Sequence, residues 1–202
     1  MIRPFAAALA LSLAFTASST WAAPSTDPAK MPAGLYVLDP DHASLIARVN
    51  HQGFSRFTMR FRITEARYTW DPASPQTAEV RATVDTKSFD TGAPTNDARL
   101  AKDFLDTDKF PTATFVSTSI QPGETGMGKM TGDLTLHGVT RPVTFDVTWN
   151  GYASGIFGQR SGFSARATIK RSDFGIDHLL NPPLGFVGDQ VELTLELEFL
   201  KK

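Results

Sequence analysis

At 202 residues, with a formal charge of −1 and a pI near 6.4, the chain is sized for one domain or at most two and has no long-range pull toward nucleic acid or an anionic membrane. Lysine and arginine are scattered, and the absence of cysteine excludes both a disulfide framework and a lipidated N-terminal cysteine. The fifteen Phe against three Tyr and three Trp matter more, because phenylalanine has no polar handle and needs a dry home, either a large core or the wall of an apolar pocket.

Arg3, the apolar run Phe5–Phe15 and the small residues around Trp21 read as a secretory signal peptide over residues 1–22, cleaved after Ala22. The run is too short to span a bilayer. No later apolar run approaches membrane-spanning length, so the mature chain is expected to be soluble. Residues 23–33, with Pro24, Pro28 and Pro32, read as a flexible lead-in to a single domain over 34–202.

The domain then reads as strands. Gly34–Asp39 ends at the turn composition Asp39-Pro40-Asp41-His42, and Ser44–Asn50 follows with Leu45, Ala47 and Val49 on one face. In Phe57–Trp70 the inward parity changes. Phe57, Met59, Phe61 and Ile63 hold one phase, while Ala66, Tyr68 and Trp70 hold the other, which predicts a β-bulge near Thr64-Glu65. Ala78, Val80, Ala82 and Val84 alternate with polar residues in the next strand. Thr95–Asp106 is the one convincing helix, with Thr95 as cap, Asp97 at its positive end and a stripe of Leu100, Ala101, Phe104 and Leu105.

Thr112–Ile120 is a strand. Gly132–Trp149 is a hairpin turning at His137-Gly138-Val139-Thr140, with Pro142 starting its second strand and Val143, Phe145, Val147 and Trp149 facing inward. Asn150–Gly162 reads as a glycine-rich loop carrying Ile156 and Phe157. Gly162–Arg171 is a strand with Phe163, Ala165, Ala167 and Ile169 inward. Ser172–Gln190 is a long irregular segment whose Phe174, Leu179, Leu180, Leu184 and Phe186 must cover something. The last strand alternates Val191, Leu193, Leu195, Leu197 and Phe199 with polar residues.

The sum is an all-β fold, an antiparallel barrel of about eight strands with one helix between strands. A barrel of that size has room for side chains or one small ligand. The small inward residues Ala78, Ala82, Ala165 and Ala167 leave space inside it.

Several segments in this order resemble the YceI family of lipocalin-like, polyisoprenoid-binding proteins of the bacterial periplasm. They are Tyr36-Val37-Leu38-Asp39 with His42, His51-Gln52-Gly53, Asp85 to Gly92, Asp97 with Leu100, and Asp103-Phe104-Leu105-Asp106. Further on come Phe110-Pro111 with Ala113-Thr114-Phe115, GDLTLHGVTRPVTFDV from Gly132, and Arg171 with Asp173-Phe174-Gly175-Ile176. The resemblance spans Tyr36 to Phe199. It implies an extended barrel around an apolar tunnel, periplasmic residence, no catalysis, and an isoprenoid ligand such as a quinone tail or a polyprenyl phosphate.

On that reading the cavity wall is expected at Phe61, Leu100, Phe104, Leu105, Phe115, Phe145, Trp149, Phe163 and Phe174. Polar contacts to the head group are expected at His51, Asp97, Arg99 and Arg171, with an ion pair or cap as the structural alternative for Asp97 and Arg171. Members often carry Arg-Asp-x-His-Leu at the helix start. Here Asn96 and Arg99 replace the Arg and the His, which points toward a phosphate head group.

The four histidines fall on separate turns with no metal-binding spacing, so neither a metal nor a cofactor other than a bound isoprenoid or quinone is expected. His42 is expected to anchor a loop by a hydrogen bond. A hydrolase pairing His42 or His51 with Asp41 or Asp97, and a solid-cored interaction protein with an apolar patch at Ile156 and Phe157, are the competing readings. The sequence leaves self-association into a homodimer open.

Overall fold

The computed structural model describes residues 23–156, 158–181 and 185–202. The expected leader, Phe157 and Leu184 lie outside them. Eight antiparallel strands close into one barrel in sequence order. They are β1 (Gly34–His51), β2 (Ser55–Trp70), β3 (Val80–Asp90), β4 (Thr112–Pro122), β5 (Met127–Leu136), β6 (Val139–Gly155), β7 (Gly158–Lys170) and β8 (Val187–Lys201), with β8 returning to pair with β1. Closure gives every strand a neighbour on each side, so no strand is a free edge along its whole length. Helix α1 (Pro94–Leu105) joins β3 to β4. At that same end lie the β1–β2 turn, the β5–β6 turn and the segment linking β7 to β8. No described helix is long and apolar enough to cross a membrane.

Local chemistry accounts for most of the register. The parity change in β2 appears as a shift in its pairing with β3 between Ile63 and Glu65, after which Ala66 and Tyr68 are the buried residues. The β5–β6 turn is tighter than expected, with only His137 (φ 53°) and Gly138 (φ 74°) between the strands. Two positive φ values make it a type I′ turn, whose twist matches that of the flanking strands. Pro142 lies inside β6 rather than at its start, opposite Asp133. Counting the ladder's alternation from the turn, that is a non-hydrogen-bonded position, and pairing with β7 begins only at Asp146, so the missing N–H costs little.

Four expectations are corrected. The Asp39–His42 turn does not break the chain. It is a bulge within one long β1, where pairing with β8 jumps from Leu38 to Ala43. Asp39 takes the backbone N–H of Asp41 (3.3 Å), so turn chemistry shortens the path without ending the strand. Thr95 is not the cap of α1. The cap position is Ala93, without a side-chain bond, and Pro94 supplies a preset φ at the first helical position.

Asn150–Gly162 is not a loop but the continuation of the β6–β7 hairpin, in which Tyr152 opposite Ser161 turns a polar-looking stretch into barrel wall. The lead-in over residues 23–33 is docked rather than free. Ser25 and Tyr152 exchange backbone hydrogen bonds of 2.7 and 2.9 Å, and Met31 is fully buried. Gly151 permits that approach, because a Cβ there would sit 2.8 Å from Pro24 Cβ.

The end of the barrel beneath this lead-in is solid. Tyr36 and Tyr68 stack at 5.1 Å, Trp70 and Trp149 at 6.4 Å, and Phe163 and Phe199 meet Tyr68 edge-on. The Tyr68 hydroxyl is 2.6 Å from Ser161 Oγ, and the Tyr36 hydroxyl donates to the Pro32 carbonyl. Burial pushes the Tyr36 phenol up to about 12, with Tyr152 adding to the rise.

Candidate ligand cavity

At the opposite end, under α1, the barrel is hollow. The cavity has a volume of about 310 Å³. Its wall comes from the upper inward faces of β1 (Leu45, Ala47, Val49), β2 (Phe57, Met59, Phe61), β3 (Val84, Phe89) and β8 (Val191, Leu193), with Leu134 and Leu136 of β5. Alternation puts these side chains inward, and position along the strand decides which of them meet the void. Helix α1 roofs it with Leu100, Phe104 and Leu105, and Ile176, Leu179 and Val187 close the side. Among the described residues, three that line it carry polar side chains: His51, Thr86 and Arg171.

The expected wall residues divide in two. Phe61, Leu100, Phe104 and Leu105 border the cavity. Phe115, Phe145, Trp149, Phe163 and Phe174 do not. Phe115 and Phe145 pack edge to face at 5.3 Å in a cluster that also holds Phe174, and Trp149 meets Phe163 at 5.0 Å in the solid end. These aromatics satisfy one another because edge-to-face pairing fills space that a flat ring against an aliphatic wall would leave. The inward alanines follow the same pattern. Ala82, Ala165 and Ala167 are packed in or against the core and Ala78 precedes β3, while Ala47 and Ala113 border the void. The alternating runs Leu45–Val49 and Phe57–Phe61 would have located the wall, had the ends nearest the helix been weighted over the aromatics.

Of the expected head-group residues, His51 and Arg171 reach the cavity and Asp97 and Arg99 do not. His51 is exposed at the end of β1, its ring 6.3 Å from that of Phe57. Arg171 is 4 % exposed. Its guanidinium donates to four backbone carbonyls, those of Gly188, Ile176, His178 and Val187, at 2.8 to 2.9 Å. The β7–β8 segment is thus wrapped around one side chain. Burial pulls the Arg171 pKa down, and Asp189 and Asp177 push it back. Asp97 accepts from the Thr91 backbone and hydroxyl, tying the β3–α1 link to the first helical turn. Arg99 points to solvent and pairs with Asp103 at 3.0 Å, one turn along. It therefore does not reach the cavity.

The other polar cluster lies away from the cavity. Asp39, His42 and Glu198 bring potential ligand atoms within 4.8 Å of one another, but the Arg160 guanidinium donates to Asp39 at 2.6 Å and to Glu198 at 3.1 Å and occupies the position a cation would take. Burial raises the Asp39 pKa, but the bonds from Arg160, His42 and the Asp41 N–H outweigh it and hold the carboxyl below its ordinary value. His42 anchors the bulge through Nδ1, 2.9 Å from Asp39. Among the described residues, neither His42 nor His51 is hydrogen-bonded to Asp41 or Asp97.

The comparisons agree with this architecture. A model of the YceI-like domain matches residues 36–199. A UPF0312 protein of Pseudomonas fluorescens is 37% identical over 171 residues, covering 83% of this chain and 86% of the relative, and one of Pseudomonas aeruginosa is 36% identical over the full length of both. Among solved structures, BcnA of Burkholderia cenocepacia superposes with a TM-score of 0.69 at 29% identity, covering 80% of this chain and 98% of that one. The YCEI protein of Campylobacter jejuni gives 0.65 at 31%, covering 74% and 88%. A polyisoprenoid-binding domain from Saccharophagus degradans gives 0.62 at 16%, covering 83% and 98%, a likeness of fold alone. On the family match and these relatives together, the chain belongs to the YceI family.

Proposed function

We propose that the protein binds an isoprenoid lipid, by a polyprenyl or quinone tail, in the cavity beneath α1 and acts as a periplasmic carrier or buffer for it. The observation that carries this reading is a void of about 310 Å³ whose wall, among the described residues, is apolar apart from three side chains. That is roughly twice the ~150 Å³ of an apolar cavity that stays dry and takes one benzene ring. It suits a stretch of tail of about a dozen carbons, which on burial contributes on the order of 10 kcal/mol before the cost of association is subtracted. Methyl-branched isoprene units match an irregular wall of Leu, Val, Met and Phe, where no directional contact is needed.

A binding role without chemistry is supported by the state of the polar lining. The Thr86 hydroxyl donates to the Phe110 carbonyl at 2.7 Å, Arg171 is committed to the backbone, and among the described residues His51 has no carboxylate partner. That leaves no acid–base pair facing the void. The reading of a solid-cored interaction protein rests on Ile156, which is 90% exposed on the β6–β7 turn, but the cavity speaks against a solid interior.

Organic extraction of freshly purified protein, followed by mass analysis, tests the proposal. An isoprenoid or quinone in stoichiometric yield is expected. A clean extract from protein that also fails to bind added isoprenoid overturns it.

A further inference from the structure

The cavity also says something about the head group. A phosphate ester entering a site this dry needs a free cation or a convergent set of unpaired N–H groups, since a desolvated anion without a partner is strongly disfavoured. Three features near the cavity could supply one, and among the described residues none presents a free cation to it.

The first is Arg171. Four of its five N–H groups donate to backbone carbonyls, and the Phe104 ring covers its face at 5.9 Å from the guanidinium carbon. Its charge is offset by Asp177 and Asp189. The second is the N-terminus of α1, a place where anions often dock. Pro94 brings no N–H there, the Asn96 N–H donates to the Ala93 carbonyl at 2.9 Å, and the Asp97 carboxylate already sits in the first turn. The third is the set of surface cations at this end, none of which lines the cavity. Arg56 pairs with Glu192 and Arg99 with Asp103, both at 3.0 Å, Lys87 and Lys102 share Asp108, Lys109 lies over the Phe110 ring and Arg141 donates to the Thr140 carbonyl. Arg60 and Arg62 alternate along β2 with the lining residues Met59 and Phe61 and so face outward.

What remains suits a neutral group. His51 lies at the exposed edge of the cavity, and among the described residues its ring has no hydrogen-bond partner. A neutral imidazole offers one donor and one acceptor, enough for a quinone carbonyl or an alcohol. Thr86, though its proton is spent on Phe110, keeps lone pairs that can accept from a hydroxyl.

Resting on the isoprenoid reading above, we propose that this cavity selects isoprenoids with an uncharged head group, a quinone or an alcohol held by His51, and discriminates against phosphate and diphosphate esters. The replacement of a family histidine by Arg99 does not reverse this, because Arg99 lies in its solvent ion pair with Asp103.

Calorimetric titration of the delipidated full chain with farnesol and with farnesyl diphosphate is the test. The two share a tail and differ in charge. Farnesol is expected to bind about tenfold or more tightly than the diphosphate, with little dependence on salt. Diphosphate binding equal to or tighter than farnesol, and weakening as salt rises, overturns the head-group proposal while leaving the isoprenoid reading standing. Binding of neither compound overturns both. In His51→Phe, farnesol is expected to lose affinity severalfold while a hydrocarbon of the same length keeps it. Equal losses for the two, or no loss for farnesol, remove His51 from the site.

Discussion

Arg171 carries more structure than any other polar side chain at the cavity. Replacing it with methionine keeps the volume but strands four carbonyls around the β7–β8 segment, two of them, on Ile176 and His178, sharing one guanidinium nitrogen. Truncating a buried, fully bonded charge costs on the order of 3–5 kcal/mol. Arg171→Met is expected to lose that amount in urea unfolding, and Arg171→Lys to recover only part of it, because an ammonium cannot reach four carbonyls in a fork. A loss below about 1 kcal/mol would mean that the segment holds itself.

Asp39 sets the behaviour in acid. Its carboxyl is held below its ordinary value in the folded chain, so the unfolded state takes up the proton first. Its contribution is therefore present above that value and is lost as pH falls through the folded pKa. Comparing urea midpoints of the wild type and Asp39→Asn from pH 7 down to pH 3 should show a gap that narrows below about pH 4. A gap that stays constant over that range contradicts the assignment.

Among the elements, α1 and the segment after β7 act as one roof. Phe104 meets His178 edge-on at 4.9 Å and lies beneath Arg171, while Ala101 is buried on the underside of the helix. Phe104→Ala should cost about 2 kcal/mol, a fraction of a full core truncation because the ring is half-buried, and should speed the release of a bound isoprenoid in stopped-flow displacement. The lead-in makes a contrasting case. Met31→Ala is expected to cost about 2–4 kcal/mol, as for a core methionine, whereas a free tail would give a change within about 0.5 kcal/mol.

These same elements show what the sequence could reveal. Period-two alternation exposed the strands, the parity change at Thr64-Glu65 exposed the bulge, and the stripe Leu100–Leu105 exposed the helix, because each is local and carries its own spacing. The join through Asp39–His42 and the docking of residues 23–33 depend on Arg160 and Tyr152, more than a hundred residues away, and no local pattern records such partners. An apolar interior was legible in the composition, and of the expected residues Phe61, Leu100, Phe104, Leu105, His51 and Arg171 border the cavity while the others pack elsewhere. Phenylalanine marks an apolar interior, but whether a given ring lines space or fills it depends on the ring opposite, as Phe115 and Phe145 show.

At the level of the whole molecule, the barrel divides its aromatic content unevenly. One end is closed by stacked Tyr and Trp pairs and by the docked lead-in, and the other is left open beneath a helix. On the proposed function a ligand would enter this open end tail first and leave by the same end, while the filled end supplies the stability that the hollow end forgoes. The leader reading is tested at this scale too: if residues 1–22 are a cleaved signal peptide, protein purified from a secreting host is expected to have a mass lacking them, and a mass retaining them contradicts that reading.

Native mass spectrometry of the wild type beside a cavity-filled Ala47→Phe variant tests the central claim most directly, because Ala47 is buried in the cavity wall. The account predicts a lipid adduct on the wild type, and its loss or strong depletion in a variant that still unfolds cooperatively. An adduct of equal occupancy on both proteins, or a wild type that stays bare even after incubation with isoprenoid, would contradict it.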